Sequence, residues 1–177
     1  IEGYVTTKPE YVKKYQEDAV VTMYFSAIPD KAPVSYGTFI DSTYTAGQKE
    51  VKGIGAGMYL TYDTKANEAI TIKVGLSYTS IDNARLNLEA EAKDLTFDQA
   101  KEQALGTWND YLGRIKVETT NEDDKIKFYT SLYHALLGRG LASDVNGAYP
   151  KNDGTVGQIE FNTDGKPKHN HYNTDAI

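Results

Sequence analysis

The chain has 177 residues, which suits one full domain or parts of two and is long enough to bury a hydrophobic core. A net charge of −6 without any block of basic residues argues against nucleic acid and anionic membranes as partners. No apolar run approaches the ~18 residues of a membrane-spanning helix. Cysteine is absent, which excludes disulfides and thiolate metal sites.

Aromatic composition and the two ends of the sequence add two expectations. Fourteen tyrosines accompany a single tryptophan. Tyrosine suits β-strands, and it also suits sugar-binding surfaces, where the ring packs on C–H groups while the hydroxyl stays in water. The sequence opens on Ile1 and closes on "HYNTDAI", neither of which is a typical terminus, so we expect a piece of a longer protein or its ordered part.

The first 78 residues predict antiparallel strands. In "AITIKVGLSY" apolar residues alternate with small or polar ones, and "VVTMYFSA" alternates in the same way. A period of two with one polar face indicates strands that are half covered by a core, as in a β-sandwich. The predicted core-facing residues are Val21, Met23, Phe25, Ala27, Ile70, Ile72, Val74, Leu76 and Tyr78.

A glycine-rich G-x-G-x-G stretch at Gly53, Gly55 and Gly57 does not predict a dinucleotide site. Such a site needs a strand, then the glycines, then a helix, and here a strand follows instead. A bulge or a close backbone contact is the better interpretation.

From residue 80 onward the pattern becomes helical. Ser80 is the predicted N-cap of the first helix, and Thr96 with Gln99 forms a predicted capping box for the second. A third helix is predicted from a cap at Thr120 to Gly138. Its apolar residues are spread so widely that we expect burial on most sides, as in a multi-helix barrel or bundle.

Three motifs in this order resemble glycoside hydrolase family 92, a family of α-mannosidases. They are S-x-x-N-A-R-x-N-L from Ser80, W-N-x-x-L-x-R-I-x-V from Trp108 and F-Y-T-x-L-Y-H-x-L-L from Phe128. The resemblance covers about residues 70–150. It implies a fold in which residues 1–80 end an N-terminal β-sandwich, 81–118 form linker helices and 119–177 begin an (α/α)6 barrel.

The resemblance also implies a function. Members are exo-acting, inverting and calcium-dependent hydrolases of α-mannosides, of which α-1,2-linked ones are expected here. It implies a mannose-containing N-glycan as substrate and a secreted or periplasmic location. The catalytic acid and base, and the calcium ligands, are expected outside this chain, which alone is then inactive. The resemblance therefore assigns no catalytic residue and no metal ligand to this chain.

Substrate-binding candidates come first from the end of the chain. Where the family usually continues with F-S-x-W-D-T, this sequence has Asp175 followed by alanine and isoleucine. Asp175 is the first candidate, since a carboxylate can accept two hydrogen bonds from neighbouring sugar hydroxyls. His171 lies near the same expected barrel mouth. With His169 it has the spacing of two imidazoles on one side of a strand, but zinc would need further ligands, so a solvated loop remains the alternative.

Two further candidates have structural alternatives. His134 lies on the third predicted helix and is either a hydrogen-bonded core residue or a site contact. Asp144, with Asn146 and Gly147, resembles the start of a calcium loop, but Thr155 stands where the EF-hand pattern needs an acidic residue. A hairpin turn or a substrate contact in the cleft remains for Asp144.

An alternative function is a non-catalytic carbohydrate-binding β-sandwich with attached helices. The breadth of the apolar surface on the third helix separates the two hypotheses. An appended helix needs only a narrow apolar stripe, whereas a barrel helix is buried on several sides. The sequence favours the enzyme.

Overall fold

A computed structural model describes residues 1–8, 10, 17–18, 20–137 and 140–173. Strands come first, three helices follow, and short strands close the described part. The elements are β1 (Glu2–Thr7), β2 (Val21–Pro29), β3 (Ser35–Ile40), β4 (Thr43–Ala46), β5 (Ala56–Thr61), β6 (Ile72–Ser77), α1 (Ile81–Glu91), α2 (Phe97–Gly113), α3 (Glu122–Leu137), β7 (Gly140–Leu141), β8 (Ala148–Pro150), β9 (Val156–Gln158) and β10 (Tyr172–Asn173).

The chain divides into two units. One comprises Ile28–Ile72, and the other combines Ile1–Ala27 with Lys73–Ile177. The first contains an antiparallel sheet in which β3 lies between β4 and β5. The second contains the helices, a sheet in the order β1-β2-β6, and the antiparallel pairs β7–β10 and β8–β9.

The change from sheet to helix near residue 80 is a direct packing of α1 on β6. Ser80 caps the helix, and its Oγ accepts a hydrogen bond from the backbone N–H of Asn83 at 3.0 Å. Ala84 and Leu88 form the buried face, at 0% and 1% exposed. A Cβ placed on Gly75 would lie 2.2 Å from the Ala84 carbonyl oxygen, so only glycine allows this close approach.

The buried face of β6 is the opposite of the predicted one. Gly75 and Ser77 are buried, whereas Ile72, Val74 and Leu76 are each about half exposed. The prediction assumed that the apolar side of the strand faces the core. It is wrong here because α1 packs on the side where small residues let a helix backbone come close.

The helix starts follow the sequence rules in two cases of three. Ser80 and the Thr96–Gln99 capping box are confirmed. The cap predicted at Thr120 is wrong, since the Asn121 side chain accepts the hydrogen bond from the backbone N–H of Asp123 at 3.1 Å. The predicted end at Gly138 lies outside the described residues.

α2 and α3 form a hairpin held by aromatic contacts. The rings of Trp108 and Tyr133 lie 4.6 Å apart between centroids. The Tyr129 hydroxyl donates to the Ile115 carbonyl oxygen at 3.0 Å and accepts from the Val117 N–H at 3.3 Å. These bonds tie α3 to the link that follows α2.

The burial predicted for α3 is not found in this chain. No residue of α3 is buried, and Ile126, Leu136 and Leu137 are 62%, 43% and 51% exposed. No element within the described ranges covers them. The apolar surface is as broad as predicted, but it faces solvent here.

The predicted fold class is confirmed. Antiparallel sheets precede the helices, as expected for a β-sandwich domain followed by the helical start of a second domain. The division at residues 80 and 118 remains a prediction. Among the residues described, no helix combines the length and apolar character that crossing a bilayer demands.

Candidate functional site

A buried carboxylate connects the end of β6, the middle of α1 and the segment after β7. Asp144 lies in that segment and is 4% exposed. Its Oδ2 accepts hydrogen bonds from Ser77 Oγ at 3.0 Å and from Thr79 Oγ1. Its Oδ1 accepts one from Asn87 Nδ2 at 2.7 Å. Both oxygens are therefore satisfied, the condition under which a buried charge is tolerated.

Two asparagines of the first motif hold the same segment. Asn87 Oδ1 accepts from the backbone N–H of Val145 at 2.9 Å, and Asn83 Oδ1 accepts from Asn146 Nδ2 at 2.8 Å. Residues four apart in a helix lie on one face, a turn from each other. The spacing of the motif thus brings two amide side chains against one loop.

The arginine of the motif connects α1 to β1 instead. Arg85 Nε and Nη2 each donate to one carboxylate oxygen of Glu2 at 2.8 Å, and Nη1 donates to Asp82 at 2.9 Å. The hydrogen bond from Arg85 lowers the pKa of Glu2 below its ordinary value. The same bonds, first from Glu2 and then from Asp82, raise the pKa of Arg85. This is a bidentate pair, the stronger geometry for arginine and carboxylate.

The predicted turn at Asp144 is confirmed. The Gly147 N–H donates to the Asp144 carbonyl oxygen at 2.8 Å, and the Asp144 N–H donates to Ala148 at 2.8 Å. Gly147 has φ of 79°, a left-handed conformation that glycine adopts without strain. Asp144 therefore anchors this turn to the place where β6 is followed by α1. Its role in substrate binding remains a prediction.

His171 lies beside the anchored turn. Its backbone N–H donates to Ser143 Oγ at 3.2 Å, and its carbonyl oxygen accepts from the Ala142 N–H at 3.0 Å. The half-buried imidazole stacks on the Tyr149 ring, with centroids 4.3 Å apart and planes at 23°. Tyr149 in turn lies over Gly157, where an added Cβ would come within 2.3 Å of Cζ. Tyr149 is not among the site residues predicted from the sequence.

The other candidates are dispersed. His134 is exposed on α3, its ring 5.8 Å from that of Tyr133, so the core interpretation is wrong in this chain. Asp175 lies outside the described residues. His169 is exposed and precedes β10, which begins at Tyr172, so the two histidines do not share a strand. As substrate contacts His171 and His134 remain predictions.

Metal binding finds no support in the side-chain positions. Within the described ranges no group of three or more His, Asp or Glu side chains is placed to hold a metal ion. Both Asp144 oxygens already accept hydrogen bonds. These residues do not fit a calcium site, which needs six to eight oxygen ligands.

A surface depression of about 420 Å³ lies in the unit Ile28–Ile72. Two of its charged lining residues pair with each other, since Lys31 Nζ donates to Glu68 Oε1 and also to the Asp63 carbonyl oxygen. The hydrogen bond from Lys31 lowers the pKa of Glu68. Lys31 and Glu68 are therefore already paired with each other in this depression.

Comparison with protein families decides the identity of the fold. Residues 1–77 match the glycosyl hydrolase family 92 N-terminal domain, and residues 83–177 match the catalytic domain of that family. The chain belongs to glycosyl hydrolase family 92. The change from one domain model to the other coincides with the join between β6 and α1.

Solved structures of the family agree with this assignment. The inverting family 92 mannosidase BT2199 of Bacteroides thetaiotaomicron is 27% identical over 86% of this chain, with a TM-score of 0.70. The family 92 glycosyl hydrolase ccman5 is 26% identical over 99% of the chain, with a TM-score of 0.82. The α-mannosidase BT3965 of the same Bacteroides is 25% identical over 86%, with a TM-score of 0.71. No curated protein matches the chain.

This family 92 chain spans about a fifth of the length of those structures, from 20% to 22%. BT3965 has also been solved in complex with mannoimidazole.

The hydrogen bonds around Asp144 could be predicted only in part from the sequence. Asn83 could have been found from its place in the motif, but Ser77 and Thr79 meet Asp144 across about 65 residues, and their local sequence gives no sign of it.

Proposed function

We propose that the protein containing this chain is an exo-acting, inverting α-mannosidase that depends on calcium and acts on mannose-containing N-glycans, with α-1,2 linkages preferred. The observation that carries the proposal is the match of residues 83–177 to the catalytic domain of family 92. Relatives described as an inverting mannosidase and as an α-mannosidase bound to mannoimidazole support it. We further propose a secreted or periplasmic location.

In this proposal the chain supports the active site structurally and does not supply the catalytic groups. Inversion needs a carboxylic acid beside the leaving oxygen and a carboxylate that activates water on the opposite face, about 6.5–9.5 Å apart. We assign both to parts of the protein beyond this chain, together with the calcium ligands. Calcium, when bound, supplies a hard cation that takes sugar hydroxyls as ligands.

The residues of this chain contribute rigidity and candidate contacts. The Asp144 network fixes the turn that precedes β8, and through Ser143 it fixes the backbone of His171. His171 and Asp175 are the proposed sugar contacts, with His134 and Asp144 as further candidates. The exposed apolar surface of α3 is the surface that the remaining helices of an (α/α)6 barrel would cover.

The alternative is a carbohydrate-binding module without catalysis. The breadth of the apolar surface on α3 disfavours it, because an appended helix would need only a narrow stripe. The match to a catalytic domain disfavours it as well.

Two assays test the proposal. The isolated chain should release no aryl alcohol from an aryl α-mannoside, because the acid and the base are assigned elsewhere. A version extended through the whole catalytic domain should release β-mannose first, as followed by proton NMR, and should lose activity with a calcium chelator. Turnover by the isolated chain, or release of α-mannose by the extended one, would contradict the proposal.

The preference for α-1,2 linkages is tested separately, by comparing hydrolysis rates of mannose disaccharides. The extended protein should hydrolyse α-1,2-mannobiose faster than the α-1,3 and α-1,6 isomers. Equal rates on the three disaccharides would remove the α-1,2 assignment and leave the mannosidase assignment intact.

A further inference from the structure

One face of the β3–β4–β5 sheet is built from aromatic rings, hydroxyl groups and glycines. Register places Phe39 between Tyr44 and Gly57, places Gly37 opposite Tyr59, and places Ser35 opposite Thr61. Directly paired residues project from the same side of an antiparallel sheet. We call this side the aromatic face; its members are Ser35, Gly37, Phe39, Tyr44, Ala46, Gly57, Tyr59 and Thr61.

Two of its rings lie across the neighbouring strand rather than standing up from the sheet. A Cβ on Gly57 would come within 2.3 Å of Phe39 Cζ, and a Cβ on Gly37 would come within 2.6 Å of Tyr59 Cζ. The outer end of each ring therefore fills the space above a glycine. This arrangement, in which an aromatic ring covers a cross-strand glycine, stabilises the strand pair and holds the rings in place.

Tyr44 completes the cluster on the short strand β4. Its ring centroid lies 5.6 Å from that of Phe39 and 5.9 Å from that of Tyr59. It is 67% exposed, while Phe39 and Tyr59 are partly exposed. A large aromatic residue that is held by two ring contacts and still presents most of its surface to solvent is suited to contact a ligand.

The two faces of this sheet differ in chemistry. The opposite face carries Met58 and Leu60, and Thr38 on that face is only 2% exposed, so it is covered. The aromatic face has no aliphatic side chain larger than that of Ala46 and no charged one. β6, in contrast, exposes Ile72 and Val74, the aliphatic composition that packs against other protein elements.

Uncharged rings with hydroxyl groups at the rim fit one class of ligand. A pyranose ring presents C–H groups on its face and hydroxyl groups at its edge, so an aromatic ring can pack on the face while polar groups meet the edge. The missing charge disfavours nucleic acid and charged peptides. We infer that the aromatic face binds the sugar rings of a mannose-containing glycan, as a second glycan site that does not perform hydrolysis.

The test measures retention of the chain in affinity gel electrophoresis through α-mannan. Tyr44→Ala should weaken retention about tenfold, a change that corresponds to about 1.4 kcal/mol. Tyr44→Phe should keep it, since the ring face remains. Tyr4→Ala is the matched control, because Tyr4 is 48% exposed and contacts one ring, that of Tyr24. Circular dichroism melts establish that the variants are folded.

The choice of mannan rests on the proposed function, and the outcomes separate the two ideas. Equal retention of all variants, or no retention of the unmodified chain, would overturn the inference. Retention by a β-1,4-glucan instead of mannan would overturn it too, as would self-association that Tyr44→Ala abolishes without any effect of mannan. The anomer assay on the extended protein judges hydrolysis independently of this surface.

Discussion

Three polar side chains converge on Asp144, a carboxylate that solvent barely reaches. Ser77 and Thr79 approach from the end of β6, and Asn87 approaches from α1. Hydrogen bonds to a buried charged group contribute more than those between neutral groups, and donors left unpaired in the interior add a further cost. Asp144 should therefore be among the residues whose loss most affects stability.

Asp144→Ala should lower the free energy of unfolding by about 3 kcal/mol, the upper part of the range for a charged hydrogen-bond partner. Urea denaturation followed by circular dichroism measures the change. Asp94→Ala, at an exposed position, is the control and should alter stability by less than about 0.5 kcal/mol. If Asp144→Ala and Asp94→Ala were equally stable, the Asp144 carboxylate would not stabilise the contact of its turn with β6 and α1.

Glycine has opposite consequences at two positions. A Cβ on Gly75 would collide with the backbone of α1, whereas a Cβ on Gly106, within α2, meets nothing within 4 Å. Gly75→Ala should destabilise the chain by about 1–3 kcal/mol through overpacking. Gly106→Ala should stabilise it by up to about 1 kcal/mol, the helix-propensity difference between the two residues.

Thermal melts of Gly75→Ala and Gly106→Ala compare the addition of one methyl group at a covered glycine and at an uncovered one. Equal shifts would mean that α1 does not pack directly on β6. The sequence pattern around Gly75 gives no sign of this close packing. The difference depends on which element covers the glycine, and local periodicity does not contain that information.

At the scale of elements, the ion pair of Glu2 and Arg85 joins β1 to α1. Because Arg85 holds the pKa of Glu2 below its ordinary value of 4.5, folding favours the ionised carboxyl. The resulting stability is present above pH 4.5 and is lost as the pH falls through the lower pKa of the folded state. The pair is partly exposed, so its contribution is small.

Melting temperatures between pH 7 and pH 3 should reveal this contribution. At pH 7 the native chain should melt at a higher temperature than the Glu2→Gln variant. This difference in melting temperature should disappear as the pH approaches 3. Glu102→Gln, at an exposed position on α2, should show no such convergence. A difference that grew on acidification would mean that the pKa of Glu2 is raised.

The elements themselves were largely predictable, and their environments were not. The cap at Ser80 and the capping box at Thr96 depend on neighbouring residues, and the structure confirms them. The strand at β6 is also found, but its buried face is not the predicted one. Asn121, and not Thr120, caps α3. Threonine and asparagine are both common N-cap residues, so the sequence alone does not distinguish between the two adjacent positions. The Asp144 network and the ring–glycine pairs depend on contacts across the chain, which single-sequence patterns do not specify.

At the scale of the whole molecule, the helices of the described chain expose several large apolar side chains. Phe97 on α2 and Ile126 on α3 are 68% and 62% exposed, and Leu137 is 51% exposed. Exposed apolar side chains that form a patch mark interaction surfaces or promote aggregation. The core, by contrast, includes Ala84 and Leu88 at the junction of sheet and helix.

The isolated chain should therefore bind a hydrophobic dye such as ANS while folded, and Ile126→Lys should reduce that binding. The substitution removes an exposed apolar group without opening a cavity, so the melting temperature should change little. Leu88→Lys, at a position 1% exposed, should instead unfold the chain because it buries an unpaired charge. Unchanged dye binding in the folded Ile126 variant would mean that α3 is covered in solution, by self-association if sedimentation then shows a larger species. Dye binding that falls with Ile126→Lys while the chain stays monomeric would instead mean that the apolar side chains of α3 face solvent in the isolated chain.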